Sequence, residues 1–196
     1  MENSPDYFRQ YDKHLVIFDF DETLCKTNAT ITAVEKSTTN SFTIDSTKYA
    51  DWRKKYPDAH NDFDIDFSQF QRYPEKGELI EPIANKLKQY ASNDNYIISL
   101  VTGRDNLAGP KQFLSDNYIP INKMFLMCSG DPNKKNCYRS LINTFEPEHV
   151  TIYEDSLVYI HQCFDVCARF KVHFSAVLVV DGKPIYDWRN YDQKNS

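Results

Sequence analysis

The chain has 196 residues, 41% hydrophobic and 14% aromatic, with a formal net charge of −5, which fits one packed domain. Its basic residues cluster tightly only at Arg53-Lys54-Lys55 and Lys134-Lys135, which speaks against a protein that wraps nucleic acid. A mean hydropathy of −0.61 and the lack of an apolar run of about eighteen residues speak against a membrane span, and the first residues show no Sec-type leader. The five cysteines, Cys25, Cys128, Cys137, Cys163 and Cys167, are odd in number and form no CxxC pair. A reducing, cytoplasmic compartment is therefore expected, without a disulfide framework or zinc site. Cys163 and Cys167 lie four apart, on one helical face, and read as small buried apolar residues.

In chain order, residues 1–13 are polar and aromatic and read as an arm packed on the domain. The first strand is expected over 14–20. Its run Leu15-Val16-Ile17-Phe18 is apolar without alternation, the mark of burial on both faces. Residues 25–75 are too long for a structureless loop and read as a small insert leaning over the site. Within it, 30–34 and 41–44 read as short strands and 49–55 as a helical turn. Residues 62–67 alternate strictly, which predicts a half-buried strand with Phe63, Ile65 and Phe67 inward. The acids at 62, 64 and 66 are explained by that alternation without a metal. Tyr49, Trp52, Tyr56, Phe67, Phe70 and Tyr73 read as the insert's own core, with a minority of them as a candidate substrate wall.

A helix is expected over 78–91, with Leu79, Ile83, Leu87 and Tyr90 on one face and Pro82 in the first turn. A buried strand over 96–101 ends in Thr102-Gly103-Arg104. A shorter helix carrying Phe113 and Leu114 follows, then a strand over 124–127, a polar loop over 129–135 and a helix bearing Tyr138, Leu141, Ile142 and Phe145. A fourth strand, 150–153, ends in Glu154-Asp155. Leu157, Ile160, Phe164 and Cys167 mark another helix, with His161 read as a core or boundary histidine rather than a catalytic one. Residues 172–180 form a fifth strand, and Asp181-Gly182 turns into a returning segment, 184–188. The tail from Asp192 is polar. Strands alternating with helices predict an α/β fold with a mainly parallel sheet covered on both faces.

In such a sheet, ligands gather beyond the carboxyl ends of the strands. Asp19 and Asp21 follow the first strand, Thr102 the second, Glu154 and Asp155 the fourth, and Lys134-Lys135 the third. Two neighbouring carboxylates held by a buried strand repel, and need a cation or a shared proton. Arg104 reads more readily as half of a surface ion pair than as a substrate contact.

Asp19-Phe20-Asp21-Glu22-Thr23 is similar to the DxDxT motif of the haloacid dehalogenase (HAD) superfamily, and the later Thr, Lys and acidic pair follow in that family's order from Asp19 to Asp155. The resemblance implies a Rossmann-like HAD core over 1–196, a single domain whose 25–75 insert stands where relatives carry a cap. It implies Asp19 as nucleophile, forming an aspartyl-phosphate, and Asp21 as general acid and then base. Mg²⁺ would be held by Asp19, the main-chain carbonyl of Asp21, Asp155 and Glu154. Thr102 and Gly103 would bind the phosphoryl group, with Arg104 a candidate contact, and Lys134 or Lys135 would supply positive charge. Lys134 lies on the stripe of Tyr138 and Leu141 and is favoured. The chain departs from the family pattern at 159, a Tyr where an acid often follows the pair. An Asp at 21 resembles the phosphatases of the superfamily, and DxDET recurs among its protein phosphatases. A small insert leaves room for a protein surface, so a phosphotyrosine protein substrate and a monomeric enzyme are expected. The chain also resembles HAD-type phosphotyrosine phosphatases among Legionella effectors, which implies the host cytoplasm as its place of action. A small-molecule or nucleotide phosphatase and a catalytically silent binding module remain the alternatives.

Overall fold

The computed structural model describes residues 14–74, 76–130 and 133–195. The expected arm at 1–13 lies outside them. The chain begins with strand β1 (His14–Phe18) and leaves it for an insert made of β2 (Cys25–Lys26), β3 (Thr30–Glu35), β4 (Ser41–Asp45), α1 (Ser46–Lys55), α2 (Ala59–Asp62), β5 (Phe63–Asp66) and β6 (Glu78–Leu79). It returns through α3 (Glu81–Ala91), β7 (Tyr96–Thr102), α4 (Ala108–Asp116) and β8 (Met124–Cys128). Then come α5 (Lys135–Phe145), β9 (His149–Glu154), α6 (Leu157–Phe170), β10 (His173–Val180), β11 (Lys183–Ile185) and α7 (Trp188–Asn195).

Six strands form the central sheet in the order β11-β10-β9-β1-β7-β8. All its pairings are parallel except β10 with β11. This is a mixed α/β fold of Rossmann-like character, and β1 sits at its middle. The period of two along β1 divides its apolar run between two cores. Val16 and Phe18 face Ile83, Leu87, Phe113 and Leu114 of α3 and α4. Leu15 and Ile17 face Tyr138, Leu141, Ile160 and Cys163 of α5 and α6. Cys163 and Cys167 are both fully buried there. Helices α5 and α6 end at Glu146 and Lys171, each in the left-handed region that closes a last turn. Asp181 and Gly182 both have positive φ, 49° and 74°, the backbone of a two-residue hairpin turn between β10 and β11.

The insert has its own sheet, β4-β3-β5, antiparallel throughout, with a small core of Ile31, Ala33 and Ile44 under Tyr49, Trp52 and Phe63. It stands on a two-stranded stem, β2 paired with β6.

Several expectations are corrected. The helix expected from 78 begins at Glu81, because Glu78 and Leu79 are taken up by the stem and Ile80 donates its N–H to the Leu24 carbonyl. The alternating strand starts at Phe63, since Asp62 closes α2, and Phe67 leaves it to stand 39% exposed against the Tyr49 ring. Residues 186–188 do not continue the returning strand, because Trp188 opens α7 with its side chain buried. His161 lies on the solvent side of α6, edge-on to Trp188, rather than in the core. Phe164 also turns outward, packing on Phe174.

Candidate active site

The carboxyl ends of β1, β7 and β9 converge where the sheet meets the insert. Asp19 is the first residue past β1, and its N–H donates to the Tyr153 carbonyl at 3.0 Å, which keeps it in register with β9. The chain then turns tightly, with Leu24 and Cys25 donating to the Phe20 carbonyl and Glu22 in the left-handed region. This turn sets Asp19 on the floor of the site, 5% exposed, and leaves Asp21 facing the space above.

Lys134 immediately precedes α5, and its Nζ reaches 2.6 Å from Asp19 Oδ1 and 2.9 Å from Glu154 Oε2. It is 1% exposed. Its N–H donates to Gln162 Oε1 at 2.9 Å, and its ammonium lies 4.2 Å from the centre of the Tyr159 ring. Lys135, by contrast, points to solvent and pairs with Asp165 on α6 at 2.9 Å. Of the two lysines, only Lys134 is brought to Asp19.

Glu154 closes β9, buried, and Asp155 follows it, partly exposed. Asp19, Glu154 and Asp155 each offer an oxygen, and these atoms lie within 4.8 Å of one another. Burial pushes Asp19 up to about 8, helped by the charges of Glu154 and Asp21 and opposed by Lys134. Asp155 is held well above the usual carboxylate range by burial first, then by Glu154 and Asp19. Burial works against the Lys134 ammonium, but Asp19 and Glu154 outweigh it and hold its pKa well above the ordinary lysine value. Three carboxylates therefore surround a single ammonium. With all three ionised two charges are left uncompensated, and an all-oxygen donor set of that charge fits a hard divalent cation, whose binding would displace the protons.

Thr102 ends β7, fully buried, and its Oγ1 accepts the Arg104 N–H at 3.3 Å. Gly103 is exposed beside Lys134, whose Cε would lie 3.9 Å from a Cβ at that position. The Asp21 side chain is not in the acidic cluster. Both its oxygens are held by Arg104, Nε to Oδ2 at 2.9 Å and Nη2 to Oδ1 at 2.7 Å. The expected surface ion pair at Arg104 is corrected: the residue is 4% exposed, beneath the insert.

Above these residues lies a cavity of about 730 Å³. Its floor is Asp19, Asp21, Lys134 and Asp155; the insert contributes Ile31, Tyr49, Ile65, Phe67 and Phe70; the opposite wall holds Leu157, Tyr159 and residues 178–182. Sequence reasoning read the insert aromatics chiefly as a core of their own, with a minority as a substrate wall, and Tyr49, Phe67 and Phe70 do face the cavity. Tyr159 was visible only as a break in the acidic pattern. Residues 178–182 gave no local signal, because the β10–β11 turn reaches the site only through the sheet order.

No protein-family profile matches the chain, and no curated protein does. Among solved structures, the crystal structure of Legionella pneumophila effector Ceg4 with an N-terminal TEV protease cleavage sequence superposes with a TM-score of 0.54. The sequences are 16% identical, and the match covers 100% of this chain and 97% of that one. At that identity the likeness is one of fold: a mixed α/β architecture around a mainly parallel sheet, shared with a bacterial effector.

Proposed function

We propose that the protein is a Mg²⁺-dependent phosphomonoester hydrolase of the HAD type, acting on aryl phosphates and foremost on phosphotyrosine in proteins. The observation that carries this reading is Asp19 at the central strand end, with the Lys134 ammonium 2.6 Å from its carboxylate and Glu154 and Asp155 within metal-binding reach. A carboxylate attacking a phosphate dianion is opposed by charge. Bound Mg²⁺, held by Asp19, Asp155 and Glu154, would supply the neutralising charge.

On this reading an Asp19 oxygen attacks phosphorus and the bond from phosphorus to the phenolic oxygen breaks. Asp21 gives its proton to the departing oxygen, then takes one from the water that attacks phosphorus and frees Asp19. The Thr102 hydroxyl and the Gly103 N–H bind the phosphoryl oxygens, and Lys134 balances the charge shared between them and Asp19. The aryl preference rests on the cavity wall. Tyr49, Phe67, Phe70 and Tyr159 surround the space a phenyl ring would fill. A phenol also leaves readily, with a pKa of about 10. The shared fold with an effector supports the host cytoplasm as the place of action.

A second reading keeps the chemistry and changes the substrate: the insert overhangs the same cavity, which suits a small aryl metabolite. Phosphate release with Mg²⁺ from phosphotyrosine, phosphoserine and phosphothreonine peptides, nucleotides and sugar phosphates tests both, wild type beside Asp19→Asn. Release from phosphotyrosine peptide, lost in the variant, is expected. Preference for a metabolite would favour the second reading. No release from any substrate by folded, Mg²⁺-supplied protein would overturn both and leave a binding module.

A further inference from the structure

Arg104 makes more interactions than any single role in substrate binding would need. Its Nε and Nη2 hold both oxygens of Asp21, while its Nη1 donates to the carbonyls of Phe70 at 2.6 Å and Arg72 at 3.0 Å. The guanidinium also lies against the Phe20 ring at 4.9 Å and the Phe70 ring at 5.6 Å. One buried side chain thus joins the motif loop after β1 to the returning arm of the insert. Those two segments lie far apart in sequence from Arg104, which links them beyond the β2–β6 stem that already joins their far ends.

The neighbouring residues reinforce the joint. Gln71 Nε2 donates to Asp105 Oδ2 at 2.8 Å, and Asn106 Nδ2 donates to the Gln71 carbonyl at 3.3 Å. Gly109 lets α4 approach so closely that a Cβ there would fall 2.6 Å from the Arg72 carbonyl oxygen. The whole stretch after β7 is stitched to residues 70–73.

A carboxylate offers about four lone-pair directions, and Arg104 uses two of them. The Asp21 side chain remains 18% exposed toward the cavity, so it is held from beneath and open above. A planar guanidinium can do this and a lysine cannot, since one ammonium does not span two oxygens and two carbonyls at once.

We propose that Arg104 is a positioning residue that locks the returning arm of the insert to the carboxylate of Asp21, so that the pose of the insert and the aim of the acid are set together. The insert also supplies the aromatic wall, through Tyr49, Phe67 and Phe70. A substrate that seats against that wall therefore fixes the acid that serves its leaving group, and one that does not reach the wall leaves the acid loosely aimed. The catalytic half of this inference rests on the phosphatase reading; the mechanical half does not.

The test compares Arg104→Lys, Arg104→Met and Asp21→Asn with wild type by amide hydrogen exchange, and the two Arg104 variants by steady-state kinetics on phenyl phosphate and p-nitrophenyl phosphate. Arg104→Lys and Arg104→Met break both halves of the joint and Asp21→Asn its bidentate half, so exchange over residues 63–73 is expected to quicken, by about tenfold in the Arg104 variants and less in Asp21→Asn, with β1 and β7 unchanged. A misaimed acid costs most where the leaving group is poor. The two Arg104 variants are expected to lose about 100-fold in kcat on phenyl phosphate, but less than about tenfold on p-nitrophenyl phosphate, with KM nearly constant. Unchanged exchange over 63–73, or equal losses on the two esters, would overturn the proposal. Should wild type hydrolyse neither ester, the phosphatase reading falls, and exchange in Asp21→Asn alone decides whether the joint exists. That variant also decides the matter if the Arg104 variants do not fold.

Discussion

Replacing Lys134 with Met removes the one ammonium from a buried group of three carboxylates. Asp19 and Glu154 lose the partner at 2.6 and 2.9 Å, and Met leaves them facing each other and Asp155 without a cation. Removing one member of a buried ion pair costs about 3–5 kcal/mol, because the charge left behind stays desolvated. For a chain of this size each kcal/mol moves the melting temperature by about 2–4 °C, so a fall of roughly 6–20 °C is expected. Lys135→Met is the control. Its partner Asp165 has a side chain 51% exposed, and such a pair contributes at most about 1 kcal/mol. Urea and thermal denaturation at pH 7, followed by circular dichroism, measure both variants. Two further signs are specific to the charge argument. The deficit of Lys134→Met grows as pH rises above 7, since Asp19, pushed up to about 8, and Asp155 then give up protons with no ammonium to balance them. Millimolar Mg²⁺ also restores part of it, because a divalent cation can take the ammonium's place. A loss below about 1 kcal/mol, or one equal to that of Lys135→Met, would refute the reasoning.

His14, His149 and His173 stand in register at the amino-terminal end of β1, β9 and β10. His14 stacks on His149 at 4.3 Å, touches Tyr96 and the Thr151 hydroxyl, and is pulled down to about 4 by burial and by His149. The unfolded chain then binds more protons between about pH 6.5 and 4, so stability falls as pH drops through that window. Half-buried as His14 is, the loss is about 1–2 kcal/mol, and urea midpoints in His14→Gln should show a flatter pH profile. Gly109→Ala should cost about 1–3 kcal/mol in the same assay, because the new methyl meets the Arg72 backbone rather than a side chain that can turn aside. Tyr138→Phe should raise the urea midpoint, by up to about 1 kcal/mol in stability, since the Tyr138 hydroxyl is buried with no hydrogen-bond partner among the described residues.

The parts of the molecule that are legible in the sequence are those set by local pattern. The unbroken apolar run 15–18 is split cleanly between two cores, and the polar residues after β1, β7 and β9 do meet at one end of the sheet. Lys134 is brought to Asp19 and Lys135 is not, as the inward stripe through Tyr138 and Leu141 indicated. The failures share a cause. Arg104 read as a surface residue because its partners stand 83 and about 32–34 positions away, and nothing local announces them. Glu78 and Leu79 carry a helix-compatible pattern, but pairing with Cys25 and Lys26 across the insert overrides it. His161 and Phe164 sit at helical spacing from core residues, yet they turn outward against Trp188 and Phe174.

The central claim is that Asp19 is a nucleophile, and the most direct measurement is to catch its phosphoryl adduct. Protein mixed with Mg²⁺ and excess phosphotyrosine peptide is quenched in acid within the first turnovers, digested, and the fragment containing Asp19 is weighed. The account predicts a fraction one phosphoryl group heavier, labile to hydroxylamine and absent from Asp19→Asn. Brisk phosphate release with that fragment always unmodified, or full turnover in Asp19→Asn, would contradict it.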